Sequence, residues 1–205
     1  MNELFAVAGI TVLAVISPGP DFAMVTRNSF AYGRRSGLVS ALGIAFGVQV
    51  HVLYTVLGIA IVIAHSPTLF LLMKALGAGY LIYLGYKSLT NRSSVSLGTA
   101  GRTGLSLAGA FRVGFLTNAL NPKTMLFVVS SYTQVVRPGS SLGTDFAYGA
   151  FMSVAHWIWF SLVAVFFSST ILRTAMLDRQ RLMDRIIGTA LIALGLTLAF
   201  AGVNR

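Results

Sequence analysis

No cysteine occurs among the 205 residues, which removes disulfides, thiolate metal sites and cysteine nucleophiles together. Acidic residues are nearly as scarce: five Asp and Glu stand against fifteen Lys and Arg, a formal net charge of +10. Charged residues of both signs make up 10% of the chain and apolar ones 56%, too lopsided for a soluble domain of this length. There is no Walker-type phosphate loop and no His-Glu-x-x-His segment, so ATPase and zinc-protease readings lack their signatures. No nucleophile–base pair or metal set stands out either, and neither an enzyme nor a bound cofactor is expected.

What the chain has instead is long uncharged runs: Leu4–Pro20, Ser36–Ser66, Ala75–Tyr86, Phe146–Leu172 and Ile186–Asn204, with Val113–Val136 interrupted only by Lys123. About 20 apolar residues cross a bilayer. The runs predict six spans near 3–27, 38–64, 68–89, 108–135, 145–171 and 184–203, an all-α integral membrane protein with no separate soluble domain. Leu4–Ile16 has the apolar character of a signal-peptide core, but no basic residue precedes it, and it is read as a retained first span.

A strongly basic chain raises the question of nucleic acid, and the placement of charge answers it. Eleven basic residues fall between spans one and two, three and four, or five and six, with Arg34, Arg35, Arg112 and Arg185 among them. Only Lys74, Arg137 and Arg205 fall on the other side. That bias predicts three cytoplasmic basic loops and both termini periplasmic, with lipid headgroups and not nucleic acid as the partner. Lys74, near the end of its span, reads as a snorkelling side chain.

Internal likeness points to a duplication. Leu81-Ile82-x-Leu84-Gly85 matches Leu191-Ile192-x-Leu194-Gly195 at a shift of 110, and Ala41-x-Gly43-x-x-x-Gly47 resembles Ala147-x-Gly149-x-x-x-Ser153 at a shift of 106. Pro18 and Pro122 differ by 104. Three spans per half is an odd number, so the halves must enter the membrane in opposite senses, as two inverted three-helix repeats. Repeat one is expected at about 1–90 and repeat two at about 107–205, joined by a Gly/Ser/Thr linker at about 91–106, all within one transporter domain of residues 1–205.

Of five prolines, three lie inside hydrophobic spans. Ser17-Pro18-Gly19-Pro20-Asp21 interrupts the first span and Asn121-Pro122-Lys123 the fourth. A capping residue followed by proline ends one helix and starts another. Within a bilayer such a break frees backbone groups that lipid cannot satisfy, so it is tolerated where it lines a cavity or packs on protein. Ser17 and Asn121 read as N-caps, with Pro18 and Pro122 at N1 and Asp21 in a first helical turn. Each break also carries a charge, Asp21 or Lys123, that is costly at membrane depth and marks a substrate or ion path. Asn118 and Thr117 are placed to satisfy carbonyls freed at the second break. A zwitterion would set its carboxylate on a half-helix N-terminus and Lys123, and its ammonium near Asp21. Ser17, Pro18, Gly19, Pro20, Asp21, Asn121, Pro122 and Lys123 form the candidate substrate-binding set.

Spans two and five add a second layer. Gly43, Gly47, His51, Tyr54 and Gly58 share one face, and Gly149, Ser153, His156 and Phe160 trace a similar one. Small residues at this spacing let helices approach closely. His51 and His156 fall near mid-depth, where an imidazole serves either as a tether or as a proton carrier. Asp21, His51 and His156 are the candidates for proton coupling. Gln49 lies on a different face from His51 and suits packing between helices. Trp157 and Trp159 lie deep in their span, as core packing or cavity wall.

At these residues the chain resembles the LysE/RhtB family of small amino-acid exporters. Ser17-Pro18-Gly19-Pro20-Asp21-Phe22 and Leu120-Asn121-Pro122-Lys123-Thr124 are similar to that family's marks in its first and fourth spans. Gly79-Tyr80-Leu81-Ile82-Tyr83-Leu84-Gly85-Tyr86 is similar to its third span. The resemblance implies efflux of a small amino acid or derivative through the bacterial inner membrane, driven by the proton gradient, with the threonine-exporter branch the nearer one. Distant relatives of that family export metal ions. A passive channel, an intramembrane enzyme and an accessory membrane subunit are the rival classes, and the number of copies is left open, a homo-oligomer included.

Overall fold

The computed structural model describes residues 2–90, 105–135, 140–169 and 179–201, all-helical with no strand among them. Seven helices follow in order: α1 Asn2–Ile16, α2 Pro20–His65, α3 Pro67–Thr90, α4 Leu107–Ala119, α5 Pro122–Val135, α6 Leu142–Phe167 and α7 Gln180–Ala201. Most of the expected linker, 91–104, lies outside the described residues.

Length separates these helices into two kinds. At 1.5 Å per residue, α1, α4 and α5 (15, 13 and 14 residues) reach only about 20 Å each, short of a hydrocarbon core. They are half-helices, and α1 runs into α2 as α4 runs into α5 through the two proline breaks. By contrast, Pro20–Ile59 and Leu142–Phe167 are each long and apolar enough to cross alone.

The turn between the first two spans is tighter than the basic cluster there suggested. Helix continues through residue 32 and resumes at 34, so the expected gap from 27 to 38 shrinks to a single residue. Gly33 makes the turn with φ 83° and ψ 171°, a backbone conformation that a Cβ disfavours. Ser106 and Ser141 cap α4 and α6 by accepting from the Gly109 and Thr144 amides at 3.1 Å.

Apolar side chains cover the exterior as well as the core, and many polar ones are buried. Leu42, Phe46, Leu53 and Leu57 of α2, and Val154, Trp157 and Ile158 of α6, face outward, whereas Thr26, Asn28, Ser40, His51 and Asn118 are buried. Trp157 is thus an outward-facing side chain, while Trp159 packs against an inner cluster of Phe22, Val25 and Phe160. Helix α2 packs chiefly on α4 and α6, and α3 on α7. Glycines set the closest approaches. A Cβ on Gly114 would stand 2.1 Å from the Ser40 carbonyl oxygen, and one on Gly43 would stand 2.3 Å from that of Phe111. The expected small face of α2 therefore holds at Gly43 and Gly47, but it does not extend to Gly58, which meets nothing within 4 Å, or to the outward Tyr54.

Candidate functional site

The second break is built as its sequence suggests. The Asn121 side chain accepts from the Lys123 amide at 3.0 Å and its carbonyl accepts from Met125 at 3.0 Å, so Asn121 caps α5 and Pro122 opens it. The first break differs from expectation. Ser17 does not cap a helix start; its amide donates to Leu13 and closes the end of α1. Helix α2 begins at Pro20, with the Gly19 carbonyl accepting from Ala23 at 3.0 Å. Residues 17–19 separate the helices here, one more than residues 120–121 at the second break, and Pro20, not Pro18, takes the N1 position. Asp21 remains in the first turn.

The two breaks interlock. Asp21, in the first, accepts on Oδ2 from Asn118 Nδ2 (2.9 Å), Asn121 Nδ2 (3.0 Å) and Thr124 Oγ1 (3.3 Å), all from the second. Lys123, in the second, donates its ammonium to the carbonyls of Ser17 (2.5 Å) and Pro18 (3.2 Å) in the first. These are carbonyls freed where α1 ends, the negative pole of that half-helix. The lysine therefore sits along the chain at the first break, where a Cβ on Gly19 would meet its Cδ at 3.1 Å.

Asn118 does other work than the freed-carbonyl role expected of it. Its side chain reaches Asp21 and Thr124, and its own carbonyl accepts from the Asn121 amide at 2.8 Å and from His51 Nε2 at 2.8 Å. A carbonyl only accepts, so Nε2 of His51 carries the hydrogen and Nδ1 accepts from the Tyr54 hydroxyl at 2.7 Å. Both nitrogens of His51 are thereby engaged. His156 is held on one side only, Nδ1 donating to the Met152 carbonyl at 2.7 Å. Gln49 packs between helices, bonding the Gly149 carbonyl and Ser153 on α6.

A cavity lies where the breaks meet α6. Ser17, Gly19, Asp21, Asn121 and Lys123 line it, together with Thr124 and the side chains of Phe127, His156 and Phe160. It is open at its mouth, and about 300 Å³ of space, open solvent included, lies among these residues. Asp21 is 5% exposed, and its Oδ1 is buried without a hydrogen-bond partner in the protein. Thr124, Phe127, Tyr80 (whose hydroxyl donates to the Lys123 carbonyl at 3.2 Å) and Asn118 join the site without having been chosen as binding residues from sequence. Thr124 could have been found as part of the second motif; the others depend on helix packing. The side chain of Lys74 lies outside the described residues.

Gly139-Ser140-Ser141-Leu142-Gly143 has the spacing of a hydrolase nucleophile elbow, but Ser141 is the exposed cap of α6 and its hydroxyl is bound to Thr144.

An all-helical chain with an apolar exterior, two broken helices and a small polar cavity at the breaks defines a membrane translocator. The family model for LysE type translocators matches residues 12–202, and the chain belongs to that family. It is 30% identical to an uncharacterized membrane protein, YrhP, of Bacillus subtilis, over 96% of this chain and 98% of that one. It is 29% identical to the threonine efflux protein of Escherichia coli K12, covering 94% and 95% of the two chains. The leucine efflux protein of Salmonella choleraesuis is 31% identical over 61% of this chain and 59% of its own. No solved structure matches.

Proposed function

We propose that this protein is a secondary active exporter of a small neutral amino acid through the bacterial inner membrane, with Asp21 coupling transport to protons. The observation that carries this reading is the buried, unpartnered Oδ1 of Asp21 on the wall of the cavity. Its sister oxygen is saturated by three donors. A buried carboxylate oxygen with no partner is costly, so the site favours a ligand that donates there: a substrate ammonium, or a proton. Lys123 spends two of its three N–H donors on the Ser17 and Pro18 carbonyls, leaving the third for a substrate carboxylate. The threonine and leucine efflux relatives support an amino acid as cargo. Among the described residues no three His, Asp or Glu side chains come together, which favours an organic ammonium over a metal ion.

Six spans in two inverted repeats, residues 1–90 and 107–205, complete the proposal. The contacts between α3 and α7 support it. A Cβ on Gly85 would meet the Gly188 carbonyl and Ile192, and one on Gly195 would meet the Ala78 carbonyl and Ile82. Adding or subtracting 110 converts either set of contacts into the other. Alternating access then follows from rocking one repeat against the other around the crossed breaks. His51, engaged at both nitrogens, serves as a tether that holds the second break.

The test is transport in reconstituted vesicles. Asp21→Asn is expected to lose gradient-driven accumulation of labelled threonine or leucine while retaining exchange between the two sides, because an amide oxygen can still accept from Asn118, Asn121 and Thr124 but carries no exchangeable charge. Full gradient-driven export by that variant would sink the coupling role. The orientation is tested separately: a cysteine at Ser140 should react with an impermeant thiol reagent from the periplasm, and reaction only from the cytoplasm would reverse it.

A further inference from the structure

The polar groups lining the cavity divide into those already consumed and those still open. Asn121 spends its amide nitrogen on Asp21 and its oxygen on the Lys123 backbone. Thr124 Oγ1 donates to Asp21 and accepts from Asn118. Besides the Ser17 hydroxyl, Asp21 Oδ1 and the third Lys123 donor remain, and these two suit the ammonium and carboxylate that every α-amino acid carries. Neither can tell one side chain from another.

His156 can. It comes from a different helix, α6, and is buried at 3% exposure. Its ring lies between those of Phe127 and Phe160, with centroids 6.2 Å away on each side. Because Nδ1 donates to the Met152 carbonyl, the neutral ring holds its lone pair at Nε2. Two phenylalanines offer that nitrogen no donor. We infer that His156 is a specificity-determining residue, and that Nε2 accepts a hydrogen bond from a hydroxyl or comparable donor on the substrate's side chain, within an otherwise aromatic wall. This inference rests on the amino-acid reading above and deepens it. A side chain of equal size without a donor would leave a buried acceptor unpaired, the situation in which binding sites discriminate strongly.

Three isosteric pairs isolate that one group: threonine against valine, serine against 2-aminobutyrate, and homoserine against norvaline. Binding to the full-length protein in nanodiscs should favour the hydroxyl member of at least one pair by roughly tenfold or more. His156→Phe, which keeps a ring between Phe127 and Phe160, should bring that pair within about twofold while aliphatic binding persists. Equal binding within all three pairs by the unaltered protein would overturn the inference, as would a preference that survives His156→Phe. So would a preference erased by Ser17→Ala but not by His156→Phe, since Ser17 also lines the cavity. Should His156→Phe fail to fold, nitrogen NMR of the unaltered protein decides. The Nε2 resonance of His156 must move with the hydroxyl member and not with its isostere, and an identical response to both would count against the assignment. Failure of the underlying site is recognised differently: both members of a pair would bind unchanged by Lys123→Met.

Discussion

The two proline breaks look alike in sequence but have opposite chemistry. The first presents acceptors: the carbonyls of Ser17 and Pro18 and the carboxylate of Asp21. The second presents donors: the Asn118 and Asn121 amides, the Thr124 hydroxyl and the Lys123 ammonium. Each therefore satisfies the other. A break in a membrane helix needs partners for its freed groups, and here one broken helix supplies them to the other. The complementarity is nearly complete: Asp21 Oδ1, Asn118 Oδ1 and one ammonium hydrogen are left over, and the carboxylate oxygen and the ammonium hydrogen are what a zwitterion requires.

Removing the donor charge tests this contrast most severely. Lys123→Met should abolish export with abundance and insertion near normal, because it leaves the Ser17 and Pro18 carbonyls unpaired and the substrate carboxylate without a cation. Near-normal transport by this variant would assign the lysine to packing alone. Lys123→Arg should retain only part of the activity, since a planar guanidinium does not fit where a compact ammonium sits between two carbonyls. A milder change sharpens the same comparison from the acceptor side. Gly19→Ala places a methyl 3.1 Å from Lys123 Cδ and 3.2 Å from Nζ, close enough that the flexible side chain must shift by a few tenths of an ångström. Initial export rates should fall severalfold without loss of protein, and an unchanged rate would mean that the lysine's resting place is unimportant.

The breaks were legible because their signals are local. A cap and a proline at N1 act within four residues, and Asn121-Pro122 behaves as such rules require; Lys123 follows it as a cation in a first turn, against the dipole of its own helix, and is held by the carbonyls at the end of α1. Ser17 misled because two prolines compete for N1, and spacing alone does not say which one wins. Gly33 marks a turn that the basic residues around it obscured: Arg34 and Arg35 suggested a loop where one glycine suffices. Asn118 was noticed for the wrong partner. Its bond to Asp21 spans 97 residues and depends on how close α4 comes to α2, which is fixed by Gly43, Gly47 and Gly114 together. Likewise the sequence pairs His51 with His156 by depth, whereas their bonding differs through their neighbours: Tyr54 and the Asn118 carbonyl engage one ring completely, while Met152 engages only one side of the other.

The crossed bonds also bear on how the chain is made. Residues up to 90 leave the ribosome well before 118–124, so the Asp21 carboxylate and the Ser17 and Pro18 carbonyls enter the bilayer ahead of the donors that will meet them. Until α4 and α5 arrive, these acceptors lack the partners they have in the folded protein. The first half of the chain is thus completed by the second, which carries the donors that its break lacks.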